Sequence, residues 1–170
     1  MALRFLTSAD MTIDVVVTCD PAVECDDEQR LSYLDTGDQS TLDVVNDGAT
    51  CFKIKALSPR ERETAEAAAG ALTRSELGRL LWAEAPSDVR ERATWHHELT
   101  DDERHALSDY QNYLNRVYLE MIRASLVSID DVDATVEQLE LIRPESSRVQ
   151  TISELVLHIQ RISLAGVEGK

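Results

Sequence analysis

The chain has 170 residues, 43% hydrophobic and 29% charged, and its 17 basic and 32 acidic side chains leave a formal net charge of -15. That length supports one domain burying roughly 70% of its unfolded surface, and that hydrophobic fraction excludes wholesale disorder. The charge sums to -9 over residues 1–50, +1 over 51–95 and -7 over 96–170, which excludes a surface built to grip nucleic-acid phosphates or an anionic membrane.

Residues 1–11, MALRFLTSADM, carry one arginine and no apolar run long enough for a signal peptide, and no stretch of 18 apolar residues follows. A soluble protein kept inside a cell is expected. IDVVVTC, residues 13–19, is β-branched and reads as a strand ended by Asp20-Pro21. ECDDEQRLSYLDTGD places Leu31 and Leu34 three apart, a short amphipathic helical turn broken at Thr36-Gly37-Asp38. LDVV (42–45), the turn signal Asn46-Asp47-Gly48 and the alternating TCFKIKAL (50–57) together predict a hairpin, which the 13–19 strand joins as a small antiparallel sheet.

At Ser58 the character changes. Ser58-Pro59-Arg60-Glu61 combines a capping serine, a proline at the first helical position and a glutamate three residues past the cap. The helix it opens runs to Gly70, and Thr73-Arg74-Ser75-Glu76 opens a second one through Trp82, stopping before Pro86. SDVRERATWHHE fits either a short helix or a loop. Thr100 and Glu103 form another capping box, opening a long helix over Leu99 to Ile129 with Leu107, Tyr110, Leu114, Val117, Met121 and Ala124 on one face. After a turn and cap at Asp130-Asp131, Val132, Val136, Leu139 and Ile142 predict a helix ended by Pro144. Thr151 and Glu154 predict the cap of a last helix, closed by Gly166. The expected fold class is α+β, mainly α: a small antiparallel β arm (1–57) followed by a five-helix bundle-like body (58–170).

Asp130, Asp131 and Asp133 suggest a calcium loop, but counting from Asp131 the glycine position holds Val136 and the glutamate position Ile142. Neighbouring His96 and His97 point in different directions on a helix, unlike the i, i+4 histidines of a zinc motif. Cys19, Cys25 and Cys51 are an odd number without a CxxC pair, so reduced thiols in stretches that raise their pKa are expected. Glycine-rich phosphate loops and a G-x-S-x-G elbow are absent from the sequence. No catalytic, cofactor or metal residue is expected, and the protein reads as a non-enzyme. Partner contacts are expected at the arm's strand residues Val15, Val17, Phe52 and Ile54, where strands can be added to a neighbour, and at Tyr113 on the edge of the long helix.

The order of an acidic strand-bearing start, then FKIKALSPRERE (Phe52 to Glu63), then a helical body containing YLEMIRASLVSIDD (Tyr118 to Asp131) resembles small structural or assembly proteins of tailed bacteriophages. The layout is most similar to tail assembly chaperones, which bind the tail tube or tape measure protein. The resemblance implies a self-associating, non-enzymatic protein whose partners are other phage structural proteins, found in the host cytoplasm during assembly or in the virion. A head-tail connector or tail component is an equal alternative. Outside that class, the charge suggests an acidic DNA mimic that inhibits a nucleic-acid-binding protein.

Overall fold

The computed structural model describes residues 12–70 and 76–164. Along the chain come β1 (Thr12–Val15), β2 (Val23–Glu24), α1 (Asp27–Thr36), β3 (Val44–Val45), β4 (Phe52–Lys55), α2 (Pro59–Ala68), α3 (Glu76–Glu84) and α4 (Val89–Glu98). They are followed by α5 (Asp101–Ser125), β5 (Leu126–Ile129), β6 (Val132–Asp133) and α6 (Glu145–Leu164), with 3-10 turns at Gln39–Thr41 and Val136–Leu141. The class is α+β, mainly α, as expected. Among the described residues no helix is long and apolar enough to cross a membrane.

The four-stranded sheet has the order β1-β4-β5-β6 and is antiparallel throughout, while β2 and β3 make a separate two-stranded ladder. Two of the four strands therefore come from beyond the long helix. The predicted LDVV–NDG–TCFKIKA hairpin does not form, because β3 pairs with β2 and β4 pairs with β1 and β5. Side chains explain the exchange. Asn46 donates from its backbone and its amide to the Ala22 carbonyl at 3.0 and 3.3 Å, folding β3 back onto the β2 end. The Asp20 carboxylate accepts from the Ala22 amide at 2.8 Å and the Thr50 amide at 3.0 Å, which delivers β4 beside β1.

The long helix is present but ends at Ser125, not Ile129. Leu126–Ile129 is a strand, turned into β6 by Asp130 and Asp131 at φ 51° and 59°. Two consecutive left-handed residues joining antiparallel strands form the turn whose twist matches a hairpin, and aspartate tolerates that region better than most residues. These aspartates make a turn instead of a helix cap. Asp130 accepts from the Cys51 amide at 2.8 Å and Asp131 from Lys53 Nζ at 2.8 Å, stitching the hairpin onto β4. The predicted 132–142 helix is replaced by β6 and a 3-10 turn. Val136 and Leu139 are its buried residues, and their spacing of three suits three residues per turn.

Pro144 starts a helix where a helix end was predicted, its carbonyl accepting from the Arg148 amide at 3.2 Å. Helix α6 is thus 20 residues long, and Thr151 and Glu154 lie in its interior, both buried. The boxes at Ser58/Glu61 and Thr100/Glu103 form as read, Asp26 and Gln29 add a third at α1, and residues 89–98 are helical behind an Asp88 cap. Thr73 to Ser75 and Gly166 lie outside the described residues. In α1 the buried residue is Tyr33, while Leu31 is 68% exposed.

One core joins the first third to the helices. Val15, Phe52 and Ile54 pack with Val117, Met121 and Ile122 of α5 and with Leu155, Ile159 and Ile162 of α6. Each such side chain contributes about 1.5–3 kcal/mol by leaving water. Helix α5 is the beam of the structure, with α2, α3 and α6 against it, and its buried Ser125 hydroxyl donates to the Lys55 carbonyl at 2.6 Å. Smaller clusters form around Tyr33 (Val16, Val23, Leu42) and around Leu81, Leu99 and Leu107, where Trp95 is half-buried.

Candidate interaction surfaces

Gln150, Glu154, His158 and Arg161 recur at steps of four, four and three, so α6 presents a polar row to the first third of the chain. Glu154, 1% exposed, accepts from the Thr18 amide at 2.7 Å, the Thr18 hydroxyl at 2.6 Å, Gln150 Nε2 at 2.9 Å and Arg30 Nε at 3.3 Å. A buried carboxylate is tolerable only when its lone pairs are occupied in this way. Next along the row, Arg161 Nη2 lies 3.0 Å from His158 Nδ1. An arginine only donates, so Nδ1 accepts and the imidazole proton resides on Nε2, which is buried without a partner. Burial, with the Arg161 charge beside it, pushes the His158 pKa down to about 4.

The Tyr33 ring is 4.9 Å from the His158 ring, and its hydroxyl accepts from the Val16 amide at 3.1 Å and donates to the Val16 carbonyl at 3.0 Å. Burial pushes this phenol up to about 12. The row is a fastening. It ties β1's exit and α1 to α6, and neither Glu154 nor His158 opens into the cleft described next.

That cleft has a volume of about 450 Å³ and lies between the sheet, the 136–141 turn and the start of α6. Val17, Phe52, Ile129, Leu139, Ile142 and Pro144 supply apolar walls. Val132 (66% exposed) and Leu141 (75% exposed) stand at its mouth. Several polar groups around it are engaged within the chain. Cys19 Sγ is 3.3 Å from Thr151 Oγ1 and 3.5 Å from the Ser147 carbonyl. Burial acts to raise the Asp20 pKa, but the Ala22 and Thr50 amides outweigh it and hold the carboxyl below its usual range. Arg143 Nη1 donates to the Glu140 and Ile142 carbonyls at 2.6 and 2.9 Å. Burial pushes the Cys19 thiol up, as it does Cys25 and Cys51, so none is a ready thiolate. The cleft is thus walled mainly by apolar groups.

Of the residues expected to meet a partner, Val17 and Phe52 line this cleft, although both are nearly inaccessible from outside. Val15 and Ile54 are sealed in the chain's own core, because α5 and α6 cover the face of the sheet that they occupy. Tyr113 is half-buried at the rim of that core, 6.4 Å from the Tyr110 ring, and does not line the cleft. The mouth residues Val132 and Leu141 fall within the 132–142 stretch expected to be helical, and only Val132, directly after the Asp130-Asp131 turn, carried a local signal of its place. Among the described residues no group of three or more histidines, cysteines or carboxylates stands where it could hold a metal ion. Comparison with known proteins finds no matching family model, no matching curated protein and no matching solved structure.

Proposed function

We propose that this chain is a non-enzymatic assembly protein that holds an apolar segment of another structural protein in the cleft between its sheet and α6. The single observation carrying this reading is the cleft itself: about 450 Å³, walled by aliphatic and aromatic groups, with exposed Val132 and Leu141 at the entrance. A pocket of that size and character suits one or two large side chains of a partner. The layout resemblance to tail assembly chaperones supports placing the protein among tailed-phage structural or assembly components, with tail or head-tail proteins as its partners.

The test is co-expression with the structural proteins encoded beside its gene, followed by co-purification of wild type, Leu141→Asp and Val132→Asp. Both side chains are exposed, so the substitutions leave the core alone. Loss of at least tenfold in the affinity of one defined partner is expected for each. Undiminished binding by both variants overturns the reading.

A further inference from the structure

A second opening lies apart from the cleft, where α3, α4 and α5 meet. Arg92, Trp95 and His96 stand at i, i+3 and i+4 on α4 and so share one face, and Leu107 and Gln111 stand four apart on α5. With Trp82 at the end of α3 they line a space of about 340 Å³, within the range of small-molecule sites. Trp95 packs against the buried Leu81, Leu99 and Leu107, which holds that indole in place, while Trp82 is 45% exposed. Neither indole stacks on another ring among the described residues. Both tryptophans of the chain are therefore gathered at one opening.

Its charge is the reverse of the chain's. Arg79, Arg104, Arg123 and Arg148 each pair with the carboxylate three residues before them on their helix. At the corresponding place before Arg92 stands Val89. Arg92 Nε donates to the Pro86 carbonyl at 2.7 Å, which anchors the guanidinium, and among the described residues its two Nη atoms meet no carboxylate. No carboxylate lines the opening, in a chain with 32 acidic side chains against 17 basic ones. We infer that this opening binds a small planar aromatic anion, its ring against the indoles and its carboxylate or phosphate on Arg92. Indole faces attract planar rings by stacking. They attract cations as well, but a cation here would meet the Arg92 charge. An uncharged ring would leave the guanidinium without a counter-charge. A carboxylate or phosphate supplies one, accepting from both Nη atoms in the paired geometry that arginine favours. His96 and Gln111 add further donors at the same opening.

This inference goes beyond the assembly reading and uses a different surface, so the two fail separately. NMR titration of the full chain reads it directly, because the side-chain N–H signals of the two tryptophans both belong to this opening. The probes are trans-cinnamate, which carries a carboxylate, and adenosine monophosphate, which carries a phosphate, each set against its uncharged counterpart, cinnamamide or adenosine. Both indole signals are expected to shift saturably with at least one anion, which binds about tenfold or more tightly than its counterpart. The anion that binds more tightly identifies the head group. Arg92→Gln is expected to abolish the preference for charge. Arg92→Lys, which keeps the charge and gives up the Pro86 contact, is expected to retain most of it. Trp82→Ala, at an exposed position, is expected to weaken binding about tenfold, read from the Trp95 signal that remains. The backbone amide spectrum of each variant reports that it is folded. No saturable shift with either anion up to about 5 mM overturns the inference. So does equal affinity for the charged and uncharged members of both pairs, or a preference that Arg92→Gln leaves intact.

Discussion

Removing the Glu154 carboxylate tests whether the polar row of α6 fastens the first third of the chain. In wild type this 1%-exposed group accepts four hydrogen bonds, from the Thr18 amide, the Thr18 hydroxyl, Gln150 and Arg30. Glu154→Ala leaves the half-buried Thr18 amide without an acceptor and Arg30 without its counter-charge. A stranded donor costs about 1–3 kcal/mol, whereas Arg30, 39% exposed, regains water and adds about 0–1 kcal/mol. The expected loss is therefore about 2–3 kcal/mol, a fall in Tm of roughly 5–10 °C for a chain of this size. Glu154→Gln has the same shape. Its amide oxygen can still accept from Thr18, and the Thr18 hydroxyl and Gln150 amide can turn round to accept, so only the Arg30 contact is lost and about 1 kcal/mol is expected. Urea denaturation of the three proteins gives the magnitudes, and hydrogen exchange at the Thr18 amide gives the location. An alanine variant within about 0.5 kcal/mol of wild type, or one matching the glutamine variant, refutes the fastening.

Other consequences follow from the same packing. The His158 pKa in the folded protein, about 4, lies below the ordinary 6.5, so folding favours the neutral ring. That stabilisation is complete above about pH 6.5 and is lost as pH falls towards 4, about 3 kcal/mol in all. An NMR titration in which His158 charges near 6.5 contradicts its burial. Gly37 sits at φ 72°, and a Cβ there meets the Arg161 guanidinium. Gly37→Ala should cost about 2–3 kcal/mol from the left-handed backbone and the displaced arginine, read as a Tm fall of roughly 5–10 °C. Ser58→Ala removes the hydroxyl that caps the Glu61 amide at 3.2 Å and should cost about 1 kcal/mol by denaturant titration. At the same cap, the Ser58 amide and Lys55 hold the Glu61 carboxyl down at about 2, so the cap's contribution is present above the usual carboxylate range and disappears as pH falls towards 2.

Local chemistry was legible where one residue decides the outcome. Ser58-Pro59 and Thr100 open their helices because the cap is complete within four residues of sequence. The strand at Phe52–Lys55 was visible because its two faces alternate. Pairing was less legible, because Asn46 and Asp20 choose the partners of β3 and β4 through contacts with Ala22 and Thr50 that no local pattern encodes. The apolar period of α5 ran on into Leu126, since strand and helix both place Leu126 inward, and the left-handed turn at Asp130-Asp131 was the cue that separated them. Thr151 and Glu154 imitate a capping box, but the helix had already begun at Pro144, so their polar groups were free to serve the interior. The cleft was the least legible feature. Its lining comes from residues 17 to 151, brought together only by the sheet order.

A photo-reactive amino acid placed at Leu141, in cells that make the neighbouring structural proteins, tests the central claim most directly. The cleft reading predicts crosslinks to one apolar segment of one structural protein, absent when the reactive group is moved to exposed Arg90 on α4. No crosslink from Leu141, or equal crosslinking from Arg90, contradicts it.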